Sequence, residues 1–392
     1  MKHTPYEIIM RQTQQILHYL RGQREAMIDF LSGLVLAESP STNPEAQAAP
    51  LTILWQALDE LDFAVKVLPG RESGGQLLAR RKDLASVNGS EQQLLIGHCD
   101  TVWPMGTLKE MPLVVEGNIV RGPGVFDMKG GLTQMVFALK TVAALELDMA
   151  VAPLIFVNSD EEIGSKESRS HICRLAQQVR RAFVLEPALG LTGKLKTTRK
   201  GVGGFNVVVN GKAAHAGLDP EKGISAVLGL SYIIQELYAL NDLAKGISVN
   251  IGMIDGGVRS NVIAPQSQAV VDVRVPTAAD ADRLQEAILN LKTPMDGITL
   301  DIDGQFNRPP LESTAGNQQL WRTAHTLATD LGISLEHGMA GGGSDGNYTS
   351  LYTATLDGLG SVGDGAHARH EFVYVDKMIE RSALLTSLLL TS

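Results

Sequence analysis

The 392-residue sequence predicts an α/β domain, a sheet covered by helices on both faces, interrupted by an inserted α+β unit. Three observations predict it. Apolar runs at residues 94–98, 152–158 and 182–185 read as buried parallel strands with helical stretches between them. Each run leads at its C-terminal end into ligand-type side chains: His98, Glu161-Glu162 and Glu186. From about Thr198 the pattern changes to alternating strands and amphipathic helices in the order β-α-β-β-α-β, the ferredoxin-like unit. The expected division is therefore a discontinuous domain of residues 1–197 and 311–392, with residues 198–310 inserted between Gly201 and the Pro309-Pro310 pair.

In chain order, the polar and apolar residues of the N-terminal stretch mark an amphipathic helix over residues 5–21, and a second follows over 23–37. The Pro/Ser-rich segment 38–50 reads as a loop, followed by a helix over 51–61. A strand at 64–68 and a hairpin-like region at 76–80 precede the strand that ends at His98. Turn signals cluster at Gly117-Asn118 and Gly122–Gly124, and Gly130-Gly131 open a helix to about Leu147. Helix 166–180 separates the strands at 152–158 and 182–185. In the insertion, strands at 203–210, 247–254, 269–275 and 298–303 alternate with helices 223–240 and 278–291. A helix at 320–331, a glycine-rich loop at 340–347 and a helix from Asp376 complete the chain.

Composition narrows the function. Hydrophobic residues make up 44% and charged residues 20%, ordinary for a globular protein. A net charge of −9 argues against nucleic acid or an anionic membrane as partner, while a small anionic substrate needs only local Arg or Lys. Cys99 and Cys173 form neither a disulfide framework nor a zinc-finger spacing. The N-terminus has no continuous apolar core of a secretory signal, and no run reaches the ~18 apolar residues of a membrane span. A cytoplasmic protein is expected.

In an open α/β sheet the C-terminal strand ends line one crevice, so His98, Asp127, Glu161, Glu162 and Glu186 are expected to converge. Asp100 stands two residues after His98, where it can hold the ring nitrogen that a metal leaves free. Taken singly, each has a plain structural role: Asp127 as a helix N-cap, Glu161-Glu162 as a surface acid pair. Imidazole with several carboxylates and no thiolate suits zinc, with manganese or cobalt as further options. A shared carboxylate fits two metals ~3.5–4 Å apart. The glycine-rich loop lacks the lysine of a phosphate-binding loop, and its backbone N–H groups could instead hold a carboxylate.

The segments H-C-D-T, G-P-G-V-F-D-M-K-G-G, S-D-E-E-I-G-S, L-E-P, A-A-H-A-G, G-G-G-S-D and G-A-H-A-R-H-E resemble the M20 metallopeptidase family, in particular its glutamate carboxypeptidase branch. The resemblance spans nearly the whole chain. It implies a zinc-peptidase-like mixed sheet and makes the insertion a lid and dimerisation domain, hence a homodimer. It assigns His98, Asp127 and Glu186 to one zinc, and Asp127, Glu162 and His367 to a second. Glu161 becomes the general base acting on a metal-bridging water, and Asp100 the residue that orients His98. The H-x-x-x-E spacing selects His367 over His370. Met128 departs from the second Asp of many relatives, and the family's cis peptide would fall at Asp127–Met128. From the insertion, His215 would reach the other subunit's site and support the oxyanion, with Asn261 also presented across the dimer. Arg274 would bind the substrate's terminal carboxylate and Lys194 its side chain. The implied reaction is cleavage of the amide to a C-terminal amino acid, glutamate first, in N-acyl, folate-like or short-peptide substrates. An N-acyl-amino-acid deacylase of other side-chain preference is the alternative within the family. A binding protein that has lost turnover, or a closed structural metal site, are the alternatives outside it.

Overall fold

The computed structural model describes residues 5–84, 92–293 and 295–392, so residues 1–4 of the N-terminal stretch lie outside the described residues. The chain divides into two compact units, residues 1–197 with 313–340 and 344–392, and residues 198–312 with 341–343.

The first unit is built on a six-stranded mixed sheet in the spatial order Phe63–Leu68, Gln76–Arg81, Ala152–Asn158, Gln92–His98, Arg181–Val184, Ala354–Leu356. The first two strands run antiparallel to their neighbours, and the last four are parallel. Both central strands, Ala152–Asn158 and Gln92–His98, are buried along their whole length, which is why they read as unbroken apolar runs rather than alternating ones. Their side chains divide between two cores. Leu94, Ile96, Leu154 and Phe156 pack with Ile172, Leu175 and Tyr348. Leu95, Ile155 and Val157 face the larger cluster of Met27, Leu31, Val136 and Leu384. Helices therefore cover both faces, as the patterning predicts.

Parallel pairing brings one edge together. His98 lies opposite Asn158, and Ile96 opposite Val184. The loops after residues 98, 158 and 184 consequently leave the sheet side by side. The helix Gly130–Ala144 starts close against this edge: a Cβ on Gly131 would sit 2.0 Å from the Leu185 carbonyl oxygen. Only glycine permits that approach, and relieving it requires backbone movement. Gly131→Ala is expected to destabilise the protein by about 2–3 kcal/mol, measured as a lower urea midpoint with unchanged m-value.

The second unit is a four-stranded antiparallel sheet in the spatial order Ser248–Gly256, Gln266–Val275, Gly201–Asn210, Thr299–Arg308. Helices Ala226–Ala239 and Ala278–Leu289 contribute Leu230, Ile233, Leu284 and Ile288 to one core with Phe205, Val207, Val271 and Val273. Its element order is the β-α-β-β-α-β series expected from the sequence.

Two local expectations need correction. The segment 38–50 is not a loop throughout, because a helix runs from Pro44 to Asp59 with Pro50 inside it. Asn43 caps it, accepting a hydrogen bond from the Ala46 N–H, and Pro44 occupies the first turn, where a missing N–H costs nothing. The helix expected over 166–180 is shorter, Arg169–Ala176. A small sheet that the sequence does not announce joins Val114–Glu116, Ile119–Arg121, Phe372–Tyr374 and Gly363–Asp364.

Candidate metal centre

His98 is the last residue of its strand and is buried. Its Nδ1 lies 3.0 Å from the Asp100 backbone oxygen and 3.4 Å from the Asp100 carboxylate. With Nδ1 held by acceptors, Nε2 is the atom presented to the crevice. There it approaches Asp127 Oδ1 at 3.3 Å and Glu186 Oε1 at 3.6 Å. The Asp100 carboxylate does more than face this ring. It accepts hydrogen bonds from Ser41 Oγ at 2.7 Å and from the backbone N–H groups of Glu161 and Glu162 at 3.3 and 3.2 Å. One buried acid thus ties the His98 strand end to the turn carrying the two glutamates.

Asp127 sits between two imidazoles. Its Oδ1 faces His98, while its Oδ2 is 3.6 Å from Nε2 of His367. That same Nε2 is 3.1 Å from Glu162 Oε2. His367 stands in the left-handed region at φ 60°, in the loop that enters Phe372–Tyr374. The imidazole that meets Glu162 is therefore that of His367, and His370 is exposed. The Asp127–Met128 peptide is cis, as expected. Glu161 opens the short turn Glu161–Ile163 and is buried, with one carboxylate oxygen in the same cluster as His98 and Glu186.

Electrostatics follow from this crowding. Burial opposes charge on His98, yet Asp100, Asp127 and Glu186 together push its pKa well above the usual imidazole value. Glu162 foremost, with Asp127 and Glu371, outweighs burial and pushes His367 up to about 9. Burial, with repulsion from Asp127, holds the Glu162 carboxyl above the ordinary range, against the pull of the two imidazoles.

The residues fit a cation. Among the described residues, His98 Nε2, Asp127 Oδ1 and Glu162 Oε1 are buried with no hydrogen-bond partner, an arrangement costly to leave uncompensated. Two triads offer ligand atoms within 4.8 Å of one another: His98, Glu161 and Glu186, and His98, Asp127 and Glu162. The first differs from the expected ligand set in using Glu161.

The remaining candidates are Lys194 in the first unit and His215, Asn261 and Arg274 in the second. Lys194 forms an ion pair with Glu336 at 2.6 Å. In the second unit, His215 is exposed, and its Nδ1 accepts hydrogen bonds from Gly217 and Leu218 N–H, both at 3.1 Å. That assignment puts the neutral ring's proton on Nε2, making the outward nitrogen a donor. Asn261 lies beside it, its carbonyl accepting from Ala216 N–H at 3.0 Å. The Arg274 guanidinium is engaged by Asp272 through two hydrogen bonds of 2.7 and 2.8 Å. Sequence reasoning did not anticipate Ser41 or Trp103, and it placed Glu371 without a task.

Residues 197–292 match the peptidase dimerisation domain of the M20 family. Carboxypeptidase G2 from Pseudomonas sp. (strain RS-16) is 28% identical over 378 residues, 94% of this chain and 89% of that protein. The chain thus carries an M20-type dimerisation domain and is similar to a carboxypeptidase over nearly its whole length. Succinyl-diaminopimelate desuccinylase from Shewanella piezotolerans is 27% identical over 308 residues, 72% of this chain and 77% of that protein. The fold matches an M20 family metallo-carboxypeptidase from Sulfolobus solfataricus with a TM-score of 0.72 at 16% identity, covering 93% and 98% of the two chains. It also matches a dinuclear metal binding M20 peptidase from Bacillus subtilis with a TM-score of 0.70 at 14% identity, covering 94% and 98%. Together with its carboxypeptidase and desuccinylase relatives, the candidate metal site supports a hydrolase. Among the described residues no helix is long and apolar enough to cross a membrane.

Because cation binding would satisfy buried atoms present only in the folded chain, dialysis against EDTA is expected to lower the thermal midpoint. Readdition of Zn2+ at 100 times its dissociation constant should restore about 2.7 kcal/mol of stability per site, read by differential scanning calorimetry.

Proposed function

We propose that this protein is a two-zinc carboxypeptidase that hydrolyses the amide joining an acyl or aminoacyl group to a C-terminal amino acid, preferentially glutamate. The observation that carries the reading is Asp127, whose two oxygens face different imidazoles while unpartnered His98 Nε2 and Glu162 Oε1 lie beside it. His98, Asp127 and Glu186 would hold one cation, and Asp127, Glu162 and His367 the other. Mn2+ or Co2+ suits the same donors. When bound, the cations supply Lewis acidity, which lowers the pKa of water and polarises a carbonyl.

The chain's own groups do the rest. Glu161 takes the proton from the attacking water and returns it to the leaving amine nitrogen. Asp100 holds the Glu161-Glu162 turn and the His98 ring in one frame. His215 of the partner subunit, its Nε2 a donor, would support the oxyanion developing on the scissile carbonyl, with Asn261 presented beside it. In this reading residues 198–310 act as lid and dimerisation surface, and the enzyme is a homodimer. The Arg274 fork would exchange Asp272 for the substrate's terminal carboxylate. Lys194 would face the substrate side chain.

A second reading is an N-acyl-amino-acid deacylase of other side-chain preference. The relative named as a succinyl-diaminopimelate desuccinylase and the Asp272 partner already on Arg274 both favour it. Amine release from N-benzoyl-glutamate, folate, N-acetyl-ornithine and N-acetyl-leucine, with metal-loaded and chelated protein, separates the two. Metal-dependent glutamate release above the others is expected. Faster turnover of a neutral or basic substrate would transfer the assignment to the deacylase, and no turnover by metal-loaded protein would sink both.

A further inference from the structure

Glu371 is almost completely buried, 1% exposed. Its carboxylate is spent on four N–H donors. Oε1 accepts from the backbone of Phe126 at 2.9 Å and Asp127 at 3.0 Å. Oε2 accepts from Gly124 N–H at 2.8 Å and from the Trp103 indole at 2.9 Å. Its backbone carbonyl also accepts from Gly122 N–H at 3.3 Å. The whole approach to Asp127 is therefore strung on one side chain. That side chain lies four residues after His367, in the tight turn where Ala368 N–H bonds Gly365 O and Glu371 N–H bonds Ala368 O.

His98 and Glu186 leave the sheet from strand ends whose position the parallel ladder already sets. Asp127 and His367 are not strand-end residues: Asp127 has non-helical backbone angles inside the irregular helical turn Val125–Lys129, and His367 stands on the loop before Phe372–Tyr374. Glu371 hydrogen-bonds the backbone of the first and closes the turn of the second. A ligand pair is only as well placed as the connection between its members, and outer hydrogen bonds of this kind set metal affinity.

We infer that Glu371 is a positioning residue that fixes Asp127 relative to His367, and so sets the affinity of the cation position those two residues flank. The inference rests on the two-cation reading above. It predicts an asymmetric defect. An amide at this position would turn an NH2 group toward two of the four N–H donors, releasing one side of the loop while the His98–Glu186 side stays in place. Trp103→Phe removes a single donor and keeps an aromatic ring.

The test is a Co2+ titration of the metal-free full-length protein, followed by visible absorption with a competing chelator, for wild type, Glu371→Gln, Glu371→Asp and Trp103→Phe. Urea unfolding of each metal-free variant provides the stability control. For Glu371→Gln, the equivalent flanked by Asp127 and His367 should bind about 10–100-fold more weakly, the range seen for outer-sphere substitutions, and the other, which shares Asp127 alone, should weaken much less. Trp103→Phe should show the same asymmetry at a few-fold. If Glu371→Gln does not fold, the asymmetry in Glu371→Asp and Trp103→Phe decides. Equal weakening of both equivalents in step with lost urea stability would overturn the inference, as would unchanged affinity for both. A wild type that takes up a single equivalent would overturn the two-cation reading instead. Selective weakening of that equivalent at unchanged urea stability would still support the anchor, and its absence would reject it.

Discussion

Glu161→Gln is expected to lower kcat by about 10^3-fold, within the range for removal of a general acid–base group, while KM and metal content stay near wild type. The amide keeps the volume and the hydrogen-bonding reach of the acid but cannot accept the proton of the attacking water. Metal content is the decisive readout, because Glu161 also lies in a triad with His98 and Glu186. If Glu161 were a ligand, the substitution would release a cation, and activity would recover at high added metal. Inactive protein with full metal content assigns the base. Inactive protein with half the metal would reassign Glu161 to the coordination set and leave the proton to another group. Full activity would remove it from the reaction altogether.

The sheet and the acids at its edge were legible because parallel strands announce themselves twice. Their burial makes unbroken apolar runs such as 152–158, and their C-terminal ends deliver side chains to one crevice. His98, Asp127, Glu161, Glu162 and Glu186 could be expected in one crevice from that rule. His367 could not, since it sits on a loop remote in sequence from those strands, and the motif resemblance had to supply it. The strands Ile119–Arg121 and Phe372–Tyr374 were invisible for a related reason. Three residues hold too little alternation to read, and their partners are some 250 positions apart along the chain. The helix Pro44–Asp59 starts inside the Pro/Ser-rich segment because the cap at Asn43 and the apolar face of Leu51, Leu54 and Leu58 outweigh Pro50. Asp100 illustrates the limit on roles. Its spacing from His98 pointed to one task, but only the fold reveals that its carboxylate also gathers Ser41 and the Glu161-Glu162 turn.

Asp127→Asn is expected to abolish measurable hydrolysis, a loss of at least about 10^3-fold, and to cost the protein one or both metal equivalents. The reason is charge as much as geometry. Cations held on either side of Asp127 would repel one another, and a shared carboxylate offsets that repulsion in a way a neutral amide cannot. His367→Ala supplies the contrast. Its imidazole meets Glu162 and one oxygen of Asp127 only, so its removal should cost a single equivalent and leave the His98 side loaded. Metal content after desalting, read by mass spectrometry alongside activity, gives a ranked result: wild type above His367→Ala, and His367→Ala at or above Asp127→Asn. An Asp127→Asn protein that keeps both metals would exclude Asp127 as the shared ligand. The His98, Glu161 and Glu186 triad would then become the primary cation site, and the positioning role of Glu371 would lose the carboxylate through which it acts.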